Sequence, residues 1–322
     1  MLASDFIKEG HTIKLVLSEV GLGGSSYYYK PKASSGVGGK KGKAKSKYTY
    51  TKDGVQVCNS IVVEQIKDCL SDEFVDYGYL KMTHWLRQEK NYVINAKKVY
   101  RLMSEAGILN KFKPRPKSKR RWVKNLLPDT KVAFDYMEFD IKYIYVAGQN
   151  RNALLLTVID VKTRWILGQV MKWNISQKDV RELFDQIFSV YPLPKSIYVR
   201  SDNGSQFIAN KVQLYFEKMK GVTQEFCKPA TPEQNAHIES YHSIIEKVVC
   251  QRNEFDDLNE AQQTFNRFVK FYNYKRIHSG VEYTSPYRFL LQCNIDMKSY
   301  DLECVLDCMT TSKLTTTNIL NV

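Results

Sequence analysis

Long apolar runs are missing from this chain of 322 residues: no stretch approaches the roughly twenty residues of a membrane span, and the N-terminus lacks the apolar core of a secretory signal. These absences predict a protein that neither crosses a membrane nor is exported. Cysteine pairing is missing as well. Cys58, Cys69, Cys227, Cys250, Cys293, Cys304 and Cys308 form no Cys-x-x-Cys pair and are odd in number, which argues against a disulfide framework and predicts a reducing cytoplasm. His11 and His84 have no cysteine pair at ligand spacing, so no structural zinc is expected. Acidic charge is scarce in the front of the chain only. Residues 1–130 hold 12 Asp plus Glu against 25 Lys plus Arg, a net of +13, whereas residues 131–322 hold 22 against 23, a net of +1. A basic front predicts a polyanionic partner gripped through its phosphates, with solubility as the plain alternative, and a near-neutral back half implies a different task. With 43% hydrophobic and 12% aromatic residues, the chain is rich enough in apolar groups for two or three globular domains.

The pattern along the chain divides it further. Apolar side chains at helical spacing over residues 5–20, ended by Gly21, predict a small helical region at 1–31, either the tail of a helix-turn-helix unit or a hairpin that merely packs. Residues 32–54, rich in Gly, Ser and Lys, read as a flexible basic linker. Within 55–110, three helices are predicted: Ile61 to Leu70, Tyr79 to Glu89, and Ala96 to Ala106 with Asn95 as cap and Gly107 as stop. In the third, Ala96, Val99, Leu102, Met103 and Ala106 make an inward stripe, which leaves Lys97, Lys98 and Arg101 on the outer face where a recognition helix would meet DNA. Residues 111–130 alternate base with Pro114 and Pro116 and predict an irregular linker, in which Lys119, Arg120 and Arg121 are candidate DNA contacts. From 131 to 292 the order is three strands, helix, strand, helix, strand and two helices, with strands at Val132–Val146, Ala153–Asp160, Trp165–Lys172, Ser196–Arg200 and Gln224–Cys227. That order predicts an antiparallel meander extended through helical crossovers, an α/β core with a mixed five-stranded sheet. Residues 293–322 read as a polar C-terminal tail.

Three acidic residues stand out in this core. Asp140 lies within a β-rich run, Asp202 ends another and opens Asp-Asn-Gly-Ser-Gln-Phe, and Glu239 follows Asn235-Ala236-His237-Ile238 near a helix start. Any one of them alone is a surface charge or a cap, and Asp202-Asn203-Gly204 alone is a turn. Together, two strand positions and one helix position form a hard-oxygen set suited to two Mg²⁺ or Mn²⁺ ions about 3.5–4 Å apart, as in-line phosphoryl displacement requires. Asp135, Glu138 and Asp160 are nearby acids outside this set. Glu138 shares the strand face of Asp140, and Asp160 starts a turn. Trp165, Trp173, Phe184 and Phe188 read as core, and His237 and His242 as exposed helix residues within reach of substrate phosphate.

The chain resembles the DDE transposases and retroviral integrases, and most closely the second-reading-frame product of the IS-three insertion-sequence family. The resemblance runs through Tyr77-Gly78-Tyr79, Asn95 to Met103, Phe139-Asp140-Ile141-Lys142-Tyr143-Ile144, Val158-Ile159-Asp160-Val161, Ser201 to Phe207, Asn235 to Ser240 and Tyr272 to Ser279. It implies an RNase H-like catalytic core behind helix-turn-helix DNA-binding regions, with Asp140, Asp202 and Glu239 as catalytic and metal-holding residues. It further implies binding to terminal inverted repeats and to target DNA, metal-dependent strand cleavage and transfer through a circular intermediate, a homo-oligomeric synaptic complex, and pairing or fusion with an upstream product. Asn235 and Lys247 join the candidate DNA contacts, and His278 becomes a supporting residue. Two departures stand out. Thirty-six residues separate Asp202 from Glu239, one more than is usual, and the family's basic residue seven after the Glu is here Glu246, with Lys247 falling about 80° around a regular helix from Glu239. A silent, domesticated relative acting as a DNA-binding regulator and a nuclease that cuts without joining are the competing expectations.

Overall fold

The computed structural model describes residues 2–28, 45–109, 130–228, 232–300 and 302–308, which fall into two units, one within Met1–Ser46 and the other from Lys47 onward. The basic segment with Lys119, Arg120 and Arg121, most of the expected linker at 32–54 and the end of the tail lie outside the described residues.

The first unit holds α1 (Leu2–Lys8), α2 (Ile13–Glu19) and α3 (Gly24–Tyr27). Within the expected helical region the chain turns at Gly10 (φ 99°) and restarts behind Thr12. Ala3, Val16 and Leu17 are its buried apolar residues among those described.

The second unit opens with two short strands, β1 (Tyr48–Thr51) and β2 (Gln56–Cys58), followed by α4 (Asn59–Leu70), α5 (Tyr79–Glu89), β3 (Tyr92–Val93) and α6 (Ala96–Glu105). The three strands make a sheet of order β2-β1-β3. The expected linker therefore ends before Tyr48, because Thr49 is buried and the strand is anchored through its ladder and through the Thr49 hydroxyl, which donates to Asn59 Oδ1 at 3.0 Å. Helix α6 is capped as expected, with Asn95 Oδ1 accepting from Lys98 N at 2.8 Å. It buries Val99, Leu102 and Met103, each contributing about 1.5–3 kcal/mol.

The core follows with β4 (Tyr136–Val146), β5 (Arg151–Asp160), β6 (Ile166–Lys172), α7 (Gln177–Val190), β7 (Ile197–Ser201), α8 (Asn210–Lys218) and β8 (Val222–Phe226). The sheet order is β6-β5-β4-β7-β8, antiparallel from β6 to β4 and parallel from β4 to β8, the mixed five-stranded sheet expected from the sequence. Trp165 and Phe184 are fully buried, whereas Trp173 is half-buried beneath the Arg151 guanidinium. Then come α9 (Ala236–Ile245), a π-helical turn (Glu246–Cys250), α10 (Leu258–Tyr274), α11 (Pro286–Gln292) and α12 (Glu303–Leu306). The first of the two helices expected here is not regular: it changes at Glu246 from i→i+4 to wider π pairing and ends near Gln251. The expected tail also packs further than composition suggested, since Met297, Leu302, Val305, Leu306 and Cys308 are all buried.

The front helices and the core lock together through the segment between α4 and α5. Phe74 packs edge-on against Phe268 of α10 at 5.3 Å between centroids, and the Tyr77 hydroxyl accepts from Ile277 N at 2.9 Å. Arg252 donates to the carbonyls of Glu73 and Val75, and His84 stacks on Tyr283 at 4.2 Å.

Candidate functional site

Strands β4 and β7 pair in parallel with Tyr136↔Tyr198, Met137↔Val199 and Glu138↔Arg200. Two residues further along each chain come Asp140 and Asp202, so the central strand pair presents both carboxylates at one level. Helix α9 packs across β4 and supplies Glu239 from its first turn. The match between helix and strand is metric: two strand residues rise about 6.7 Å and four helix residues about 6 Å. Side chains every second residue on β4 therefore meet α9 every fourth or fifth. Glu138 holds His237, Asp140 faces His242 at 3.7 Å, and Lys142 pairs with Glu246 at 3.0 Å.

Asp140 feels both other acids. Burial pushes its carboxyl up to about 7, and the charges of Asp202 and Glu239 push the same way, against a hydrogen bond from Ile141 N at 2.7 Å. His242, expected on an exposed helix face, is buried instead, because it stands on the side of α9 that packs against β4. Burial, with Lys142 adding, lowers its pKa to about 4. His237 is likewise not a free surface histidine, since its Nδ1 lies 2.8 Å from Glu138 Oε1.

The start of α9 is gripped from the strands. Glu138 Oε2 accepts from His237 N and Ile238 N, both at 2.9 Å, and Arg200 Nη1 donates to the Gln234 carbonyl at 3.0 Å. Arg200 is itself held by Glu225 at 2.8 Å and lies over the Tyr136 ring. Sequence reading set Glu138 outside the triad. Its spacing of two before Asp140 signalled the shared face, but not a partner 99 residues away. Asp135 accepts from Lys131 N and Val132 N, a local cap, and Asp160 accepts from Thr163 N and the Thr163 hydroxyl in its own turn and from Phe134 N just ahead of the neighbouring strand.

The expected DNA contacts divide. Lys97 is exposed on α6, whereas Lys98 donates to the Tyr48 carbonyl and Arg101 is half-buried, because the small sheet leans on that face of the helix. Asn235 is buried at the start of α9, and neither of its side-chain amide atoms has a hydrogen-bond partner. Lys247 pairs with Asp76 at 2.8 Å while remaining 56% exposed, and Glu246, unexplained by sequence, is the partner of Lys142. His278 is buried against Tyr272, with ring centroids 4.5 Å apart.

The donor set suits a hard divalent cation: three carboxylates, one of them destabilised as an anion by burial and by the other two. Among the described residues no three His, Cys, Asp or Glu side chains are gathered at metal-holding distance. Asp202 Oδ1 accepts from Gly204 N at 2.9 Å and Asp140 Oδ1 from Ile141 N at 2.7 Å.

Models of the integrase core domain match residues 133–232 and 220–286, and a model of an HTH-like domain matches residues 59–117. The transposase for insertion sequence element IS904 of Lactococcus lactis is 26% identical over 73% of this chain and 95% of its own length. An uncharacterized 39.2 kDa protein of insertion element IS476 from Xanthomonas euvesicatoria is 28% identical over 66% of this chain and 60% of its own. Among solved structures, the catalytic core domain of BIV integrase is 14% identical with a TM-score of 0.37, covering 50% of this chain and 96% of that one. No helix among the described residues is long and apolar enough to cross a membrane.

Proposed function

This chain belongs to the insertion-sequence transposases that carry an integrase core behind an HTH-like domain, and from that premise we propose that it binds the terminal inverted repeats of its own element, cuts one DNA strand there and joins the freed end to another phosphate. What supports this reading is that Asp140 and Asp202 each follow by two residues the paired Glu138 and Arg200 of neighbouring parallel strands, while Glu239 stands in the first turn of the helix that packs across β4.

Asp140, Asp202 and Glu239 are the residues that would hold two divalent cations, Mg²⁺ or Mn²⁺. Bound there, such ions would supply stabilisation of the attacking and leaving oxygens of an in-line displacement. Cleavage adds water across a phosphodiester and releases a 3′-hydroxyl; joining exchanges one phosphodiester for another, with that hydroxyl as nucleophile and the displaced 3′-oxygen taking the proton. Neither step needs a covalent bond to the protein. Lys97, exposed on α6, is the residue of the front half that would meet the phosphates of the repeat DNA, joined by the bases Lys119, Arg120 and Arg121 of the segment that follows. Lys98, Arg101 and Asn235, engaged or buried within the protein, are not among the contacts, and the largely exposed Lys247 is one beside the core. Two DNA ends have to be brought together, which calls for a homo-oligomer, with or without an upstream product of the same element.

Labelled DNA bearing the repeats that flank the gene, incubated with the protein and Mg²⁺, Mn²⁺ or EDTA, tests the reading. The expected result is metal-dependent nicking at the repeat end plus a joined strand, both lost in Asp202→Asn. Repeat binding without either product would point to a DNA-binding regulator, and nicking without joining to a nuclease.

A further inference from the structure

The most enclosed charge beside the triad is Glu138, with no exposed surface at all. Burying a carboxylate costs several kcal/mol unless it is fully engaged. Its engagement is unusual in where it comes from. A helix start is ordinarily capped by the residue just before it, and Asn235, at that place before α9, is of the right type. Yet Asn235 makes no capping bond, and both of its buried amide atoms lack partners. The free N–H groups of His237 and Ile238 are satisfied instead by Glu138, from the middle of β4.

We propose that Glu138, seconded by Arg200, is the positioning residue for Glu239. A cap supplied locally would satisfy the helix while leaving it free to slide on the sheet. A cap supplied by β4 fixes the start of α9 to the same strand that carries Asp140, two residues away. Because Arg200 is the register partner of Glu138, its hold on the Gln234 carbonyl ties the preceding turn to the strand that leads into Asp202. One rung of the central strand pair therefore anchors the helix, and the next presents the two aspartates to it. Glu239 lies one residue past the second anchored N–H, so its approach to the aspartates is set by that rung. The negative carboxylate also lies at the positive end of α9, which strengthens the tether.

This inference rests on reading the triad as the metal-holding set, and the test separates the two. Mn²⁺ affinity of the whole chain is measured without DNA, from the loss of the free-ion electron paramagnetic resonance signal, beside thermal melting in EDTA and affinity for repeat DNA. Glu138→Ala is expected to weaken Mn²⁺ binding about 10–100-fold, as loss of a residue that orients metal ligands does, with repeat-DNA affinity within about twofold of wild type. Glu138→Gln keeps one oxygen for the two N–H groups and should recover most of the loss. A folded Glu138→Ala with wild-type Mn²⁺ affinity overturns the proposal. If Glu138→Ala does not fold, Glu138→Leu combined with Asn235→Asp fills the space with apolar atoms and gives α9 its own cap. Weak Mn²⁺ binding by that folded variant supports the proposal, and wild-type binding overturns it. A wild-type chain whose Mn²⁺ uptake is absent, or unchanged by Asp202→Asn, overturns the triad reading itself.

Discussion

Asp76, between α4 and α5, and Arg276, just past the end of α10, form an ion pair at 2.7 Å in which the guanidinium is 1% exposed. Lys247 closes on the same carboxylate at 2.8 Å, and Lys81 lies near enough to add its charge. Burial alone would raise the Asp76 pKa, but Arg276 and Lys247 outweigh it and hold the group at about 2. Removing Asp76 leaves Arg276 buried without its counter-ion. Asp76→Ala should therefore cost about 3–5 kcal/mol, measured by denaturant unfolding, whereas Lys247→Ala, at the exposed side, should cost about 1 kcal/mol or less.

The same shift predicts an acid dependence. The folded pKa lies below the unfolded value of about 3.8, so the contribution is complete above about pH 4 and is lost as pH falls toward about 2. Stability measured across that window should fall more steeply in the wild type than in Asp76→Asn, which carries no titrating group at this place. Equal slopes would show that Asp76 is not the residue that titrates.

Crowding of the three acids should make the site unstable without a cation. In EDTA at pH 8, Asp140→Asn is expected to melt several degrees above wild type, because it removes a buried anion facing two others. Added Mg²⁺ should raise the wild-type midpoint and leave the variant nearly unmoved. Strand cleavage by the variant should fall by a factor of at least about 10³ while repeat binding persists.

At the turn before β8, Gly221 has φ +86°, and a Cβ there would come within 2.1 Å of the Lys195 carbonyl. Its own carbonyl accepts from Ile197 N at 2.8 Å, which starts the β7–β8 ladder leading to Asp202. Gly221→Ala should destabilise the fold by about 2 kcal/mol or more and loosen β7 in hydrogen exchange, since neither the backbone conformation nor the space admits a side chain.

On α6, Lys97 is exposed where Lys98 is drawn to the small sheet. Lys97→Ala should weaken binding to any duplex and reduce the slope of log affinity against log salt by about one. A loss confined to the repeat sequence would instead mark Lys97 as a base contact.

Regular, strongly periodic segments were legible from sequence. Tyr79–Glu89 has the predicted bounds because its apolar stripe is a local signal, and Asn95 caps α6 as its type and place predicted. The mixed five-stranded sheet, a meander extended through helical crossovers, was legible for the same reason, and the level of Asp140 with Asp202 follows once the strands pair in parallel. The sheet β2-β1-β3 was not, since strands of two to four residues carry too few alternations and its first strand lay inside a lysine-rich run. Nor was the work of Glu138, Asp76 or His242. Each is defined by a partner far along the chain, and nothing in the spacing of neighbours announces a cap given across 99 residues.

The π-helical turn at Glu246–Cys250 separates two clasps on one continuous helix. Before it, His237 and Ile238 are fastened to β4; from it onward, Lys247 and Arg252 are fastened to Asp76 and to the carbonyls of Glu73 and Val75. A turn with i→i+5 pairing takes in one residue more than an α turn, so every side chain beyond it is offset by one position from where a regular helix would put it.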